Sequence, residues 1–145
     1  SMVPVQSRQM ALQRVAATNL IAVDSTVYPM EETIQELQEQ IRKFRDERDW
    51  LQFHNHKDMA TALAIEAAEL QELFLWKQGD EIEEVARAKR ERLSEELADV
   101  AVYLLELADN LGINLAEAVV AKLAKNTEKY PVHKAKGSNA KYTEL

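Results

Sequence analysis

Apolar residues recur at spacings of three and four through most of the chain, and no segment shows the strict alternation of a half-buried strand. Ile34, Leu37, Ile41 and Phe44 share one stripe, so residues 31–48 are expected to form an amphipathic helix. A loop over residues 49–57 carries Trp50, Phe53, His54, Asn55 and His56. A second helix is expected from about residue 58 to residue 78, stopped by Gly79. A third segment begins near Asp80, is strongly periodic over residues 87–110 and is closed by Gly112. Asn114 is a favourable N-cap for a fourth helix, residues 115–129, which ends before Pro131. Upstream, residues 6–22 have helical character, broken by Asp24-Ser25-Thr26 and Pro29. The expected fold is all-α, an oligomeric four-helix bundle over residues 31–131. Residues 1–30 read as an N-terminal appendage and residues 132–145 as an irregular tail.

Two acidic pairs interrupt this pattern. Glu66-x-x-Glu69 lies in the second helix and Glu96-x-x-Asp99 in the third. At about 100° of rotation per residue, Ala62, Leu63, Glu69, Leu70 and Leu73 fall within roughly 60° of Glu66. Leu93, Asp99, Val100, Tyr103 and Leu107 gather around Glu96 in the same way. Burying four unpaired carboxylates is very costly. A hard divalent cation removes that cost, and oxygen donors suit Mg²⁺, with Mn²⁺ as a substitute. Glu is also a strong helix former, so E-x-x-E arises by chance in acidic helices. Glu81, Glu83, Glu84, Glu91 and Glu95 read as such solvated residues. Two pairs on apolar stripes of consecutive helices favour the metal site.

Composition narrows the partners. The length, 145 residues, suits one domain with a modest core. The formal charge of −7 argues against non-specific binding to nucleic acid or an anionic membrane. It leaves room for a nucleotide carried with its metal, because the cation offsets phosphate charge. The absence of Cys rules out disulfides, thiolate zinc sites and a Cys nucleophile. No apolar stretch approaches the roughly 20 residues that span a bilayer. Ser1-Met2 reads as a cloning remnant, residues 20–23 are too short for a signal-peptide core, and a cytoplasmic protein is expected.

Other residues carry weaker signals. Di-iron bundles use Glu-x-x-His twice. Here His54, His56 and His133 are preceded at that spacing by Leu51, Phe53 and Tyr130, so the pattern is absent. His54-x-His56 is weak evidence for zinc, and two surface loop histidines are the plainer reading. Carboxylate-bound Mg²⁺ keeps waters and binds substrate phosphates, and a carboxylate can take a proton from such a water. Lys125-Asn126-x-x-Lys129 offers phosphate-side contacts, with Asn126 pointing inward and Lys122 and Lys129 at its edge. The same lysines would also complement a helix C-terminus. Trp76 falls near the edge of the acidic face and could stack on a nucleobase or fill a core. Tyr103 lies one turn beyond Asp99.

The acidic motif, taken with its neighbours, resembles the all-α MazG-like nucleoside triphosphate pyrophosphohydrolases, in their dCTP pyrophosphatase branch. The resemblance rests on Glu66-x-x-Glu69 with Glu96-x-x-Asp99, on Glu47-Arg48-Asp49-Trp50 with Gln52-Phe53-His54, and on Glu72-Leu73-Phe74-Leu75-Trp76-Lys77. It extends to Asp99-Val100-Ala101-Val102-Tyr103-Leu104, Lys125-Asn126-Thr127-Glu128-Lys129-Tyr130-Pro131-Val132 and Lys136-Gly137-Ser138, and covers residues 31–145. It implies Mg²⁺-dependent cleavage of a (d)NTP, with dCTP-like pyrimidines leading, to the monophosphate and pyrophosphate. It implies Glu66, Glu69, Glu96 and Asp99 as catalytic metal ligands. Trp50 and Trp76 would line the base pocket, Tyr103 would meet sugar or base, and Asn126 and Lys129 would face the phosphates. His54, in the same matched stretch as Trp50, joins the substrate-binding set. One departure is Ile41, near which eukaryotic members of the branch carry His. Two rival readings are a nucleotide sensor without turnover and a helical interaction module.

The periodic third helix also predicts assembly. Val100, Leu104 and Leu107 follow one line and Leu97, Ala101, Leu105 and Ala108 another, more apolar surface than one small bundle buries. A homodimer or homotetramer is expected, and the resemblance implies the same.

Overall fold

A computed structural model describes residues 32–144, and every regular element among them is helical. The chain order is α1 (Ile34–Asp46), a 3₁₀ turn (Trp50–Gln52), α2 (His56–Glu72), α3 (Asp80–Ala88), α4 (Arg90–Asn110), α5 (Leu115–Lys129), α6 (Val132–Ala135) and a 3₁₀ turn (Tyr142–Glu144). The all-α expectation holds over this range. The helix expected at residues 6–22 lies outside the described residues.

Local chemistry fixes four of the helix ends. Thr33 and Glu36 form a capping box at the start of α1: Thr33 Oγ1 accepts from the Glu36 N–H, and Glu36 Oε2 accepts from the Thr33 N–H at 2.8 Å. Asn55 caps α2 and Asn114 caps α5, each accepting an N–H three residues on. At the end of α4, Ile113 N–H donates to the Ala108 carbonyl and Gly112 N–H to that of Asp109. That Schellman pattern needs a left-handed residue, and Gly112 supplies it at φ +65°.

Three expectations are corrected. The second helix stops at Glu72, not near Gln78. The N–H groups of Phe74, Leu75 and Lys77 bond three residues back, so the chain tightens into 3₁₀-type turns, and Trp76 adopts φ +63°. Gly79 therefore precedes α3 instead of closing α2. This turn returns the chain to α4, where Val85 of α3 is buried. The third segment is divided at Lys89 into α3 and α4. The tail, read as irregular, contains α6.

The packing centres on α4. Gln38 Nε2 donates to the Leu105 carbonyl, and Arg42 grips Asp109 through Nε and Nη2 at 3.0 and 2.9 Å, so α1 runs parallel to α4. His54 meets Glu106 while Glu66 meets Glu96 and Asp99, so α2 runs antiparallel to α4. Met59, Leu73, Val85, Leu105 and Ala108 form the buried apolar core, and Arg45, Glu96 and Glu106 are buried with them. By contrast α5 contributes no buried side chain, and its Val119, Val120 and Leu123 are exposed. No helix among the described residues is long and apolar enough to cross a membrane.

Candidate metal centre

Antiparallel packing of α2 on α4 brings Glu66 against Glu96 and Asp99, with one carboxylate oxygen from each lying within 4.8 Å of the others. The three sit at different depths: Glu96 is buried, Glu66 half-buried and Asp99 exposed. The cluster is thus walled on one side and open on the other. Arg92, one turn back on α4, donates through Nε to Glu96 Oε1 at 3.3 Å. Burial, then the negative charge of Glu69, Asp99 and Glu96, holds the Glu66 carboxyl above the usual carboxylate range. An all-oxygen donor set whose mutual repulsion is offset only by Arg92 at Glu96, with one open side, fits a hard divalent cation.

Glu69 is exposed and does not join the three, although its charge reaches Glu66. On the helical wheel a step of three residues swings both Glu69 and Asp99 about 60° toward the rim, so rotation alone does not separate them; Asp99 reaches the cluster and Glu69 does not.

Tyr103 stands one turn beyond Asp99, half-buried. Burial first, then the charges of Glu66, Asp99 and Glu106, raises its phenol above the ordinary value. One turn further, Glu106 is buried, with Oε1 2.7 Å from His54 Nδ1 and 3.5 Å from Arg45 Nη1. Arg45 also donates to Asn110 Oδ1 at 2.9 Å and to Asp46 at 2.7 Å. His54 is thus tied to α4, in contrast to the plainer reading of a loose surface residue; His56, the first residue of α2, is exposed. Sequence reasoning passed over Arg45 and Glu106. Glu106 was accessible to it, because it lies two turns beyond Asp99 on one face of α4.

The tryptophans occupy opposite ends of α2. Trp50 packs edge-on against Phe44, with centroids 5.8 Å apart, and lies 6.1 Å from the His54 ring. Trp76 lies past the C-terminus of α2, not on its acidic face, and is 87% exposed. The 17 residues of α2 span about 25 Å, so a single chain does not bring Trp50 and Trp76 to the same base. On α5, Asn126 is half-buried and its side chain has no hydrogen bond among the described residues, and Lys129 Nζ lies 5.0 Å over the Tyr142 ring. Among the described residues, neither Asn126 nor Lys129 is joined to the acidic cluster by a hydrogen bond or ion pair.

Residues 61–145 match the sequence profile of the MazG-like family. The dCTP pyrophosphatase 1 of Bos taurus is 41% identical over 120 residues, which cover 81% of this chain and 71% of that protein. The protein of the same name from Homo sapiens is 42% identical over 117 residues, 79% of this chain and 69% of its own. The crystal structure of a pyrophosphatase from Archaeoglobus fulgidus superposes with a TM-score of 0.67 at 42% identity, covering 72% of this chain and 98% of the other.

Proposed function

The chain belongs to the MazG-like family, in its dCTP pyrophosphatase branch, and from that premise we propose that it hydrolyses a (d)NTP, with dCTP or a related pyrimidine leading, to the monophosphate and pyrophosphate. The observation that carries this reading is the convergence of Glu66, Glu96 and Asp99 from two helices. These side chains would hold Mg²⁺, or Mn²⁺ in its place, which when bound neutralises phosphate charge and acidifies water. Glu69, one turn from Glu66 and exposed, is the carboxylate available to complete the donor set or to take the proton of the attacking water. Tyr103 lines the path away from the acids. Trp50 with His54, and Trp76, offer ring surfaces to a base, and Asn126 and Lys129 offer polar contacts to phosphates.

The working form is proposed to be a homodimer or homotetramer. Exposed Val119, Val120 and Leu123 on α5, and exposed Leu97 and Leu104 on α4, support a second copy completing the bundle. So does the separation of Trp50 from Trp76, because two chains could supply one base pocket from both ends. Such an enzyme would clear unwanted nucleotides from the cytoplasmic pool.

A hydrolysis panel over all (d)NTPs with Mg²⁺ tests this. The expected outcome is pyrophosphate release, fastest with a pyrimidine deoxynucleotide. Thermal stabilisation by a dNTP without turnover would instead identify a sensor.

A further inference from the structure

We infer that Glu106 is a positioning residue that fixes the tautomer of His54, so that His54 Nε2 accepts a hydrogen bond from an amino-bearing nucleobase. The inference rests on the function proposed above and assigns it a determinant of base choice.

The geometry begins at one oxygen. Glu106 Oε1 faces Arg45 Nη1 at 3.5 Å and His54 Nδ1 at 2.7 Å. A guanidinium only donates. An oxygen already facing that donor acts as an acceptor, so the short contact to His54 is made by Nδ1–H. Glu106 and Arg45 are both buried, and Arg45 is itself held by Asn110 and Asp46, so the carboxylate has little freedom to move. In the neutral ring the proton on Nδ1 leaves Nε2 as an acceptor. Among the described residues Nε2 has no hydrogen-bond partner, and it is not sealed from solvent. An unpartnered acceptor that solvent can reach is therefore left on a ring 6.1 Å from the exposed ring of Trp50.

Position along α4 ties this acceptor to the acidic cluster. Asp99, Tyr103 and Glu106 follow one another on one face, and Asp99 to Glu106 is about 10 Å along the axis. That is the order of the span of a nucleotide from its phosphates to its base. With phosphates at the carboxylates and the sugar near Tyr103, the base reaches His54 and Trp50. Cytosine presents an amino donor at position 4, where uracil and thymine present a carbonyl acceptor. An Nε2 acceptor satisfies the amino group and opposes the carbonyl. The arrangement thus favours dCTP over dUTP and dTTP.

Two measurements on the full chain test the inference. Long-range ¹H–¹⁵N NMR of the metal-free protein should show His54 as the Nδ1–H tautomer, and Glu106→Leu should move it to Nε2–H. In parallel, Glu106→Leu should lower the dCTP:dUTP ratio of kcat/KM by about tenfold or more, mainly through KM for dCTP. Glu106→Gln should retain most of the ratio, because its amide oxygen still accepts from both partners. His54→Phe, which leaves the Arg45–Glu106 pair in place, provides a second variant and should lower the ratio as much. An unchanged ratio in folded His54→Phe, or a wild-type His54 carrying its proton on Nε2, overturns the inference while leaving the proposed hydrolysis intact. Absence of turnover on every nucleotide overturns the proposed function instead.

Discussion

Glu66 holds the electrostatic tension of the acidic cluster. Its carboxyl binds a proton more tightly in the folded chain than in the unfolded one, owing to burial and then to Glu69, Asp99 and Glu96. In the metal-free protein this contribution favours the fold at low pH and is lost as pH rises from the ordinary carboxylate range through the raised one. Thermal midpoints in EDTA should therefore decline with pH across that window, and Glu66→Gln should flatten the decline. The same substitution should weaken Mg²⁺ binding and lower turnover by orders of magnitude, with metal-free stability held or slightly increased. Arg45→Ala tests the other buried charges. It strands Glu106 without its guanidinium and should cost about 3–5 kcal/mol in denaturant unfolding. The two sites differ in how far the sequence revealed them. Glu66 and Glu96 stand out as acids on apolar stripes, and Glu106 lies on the same face of α4. Its partners Arg45 and His54 come from separate elements, and only the register of α1 and α2 against α4 selects them.

Among the helices, some termini written in side-chain chemistry were readable, whereas the Asn55 cap of α2 was read as loop and termini set by packing were not legible. Asn114 announces α5, and Gly112 ends α4 through a backbone angle it adopts easily. The end of α2 carries no such mark, because apolar residues continue through Leu73, Phe74, Leu75 and Trp76. Burial of Val85 on α4 accompanies the turn there, and that contact is non-local. One result is that Trp76 is no core residue. Trp76→Ala should leave the thermal midpoint nearly unchanged and weaken nucleotide binding by about 1–3 kcal/mol. Quenching of tryptophan fluorescence by a dNTP with Ca²⁺ measures the affinity, and equal affinity in the variant would remove Trp76 from the base pocket. The exposed face of α5 calls for a different test. Val120→Glu should reduce the assembled mass toward that of one chain while the helical circular dichroism persists.

At the scale of the molecule, the small apolar core and the exposed apolar residues of α4 and α5 support, together with the separated tryptophans, the proposal that a second chain completes the site. The all-α class was legible from periodicity alone. Which helices pack within a chain was not, because the apolar stripe of α5 looks the same whether its partner is its own chain or another. Light scattering at micromolar concentration should give a multiple of 16.5 kDa, and a fully active species of that mass alone would contradict assembly. Whether carboxylates gathered from α2 and α4 serve Mg²⁺-dependent cleavage of a nucleoside triphosphate can be read from product analysis with dCTP and Mg²⁺ for wild type and Asp99→Asn side by side. Wild type should give equal amounts of dCMP and pyrophosphate, none after chelation, and the folded variant should turn over at a rate lower by orders of magnitude. Release of inorganic phosphate in place of pyrophosphate, or a wild-type rate from Asp99→Asn, would contradict that role.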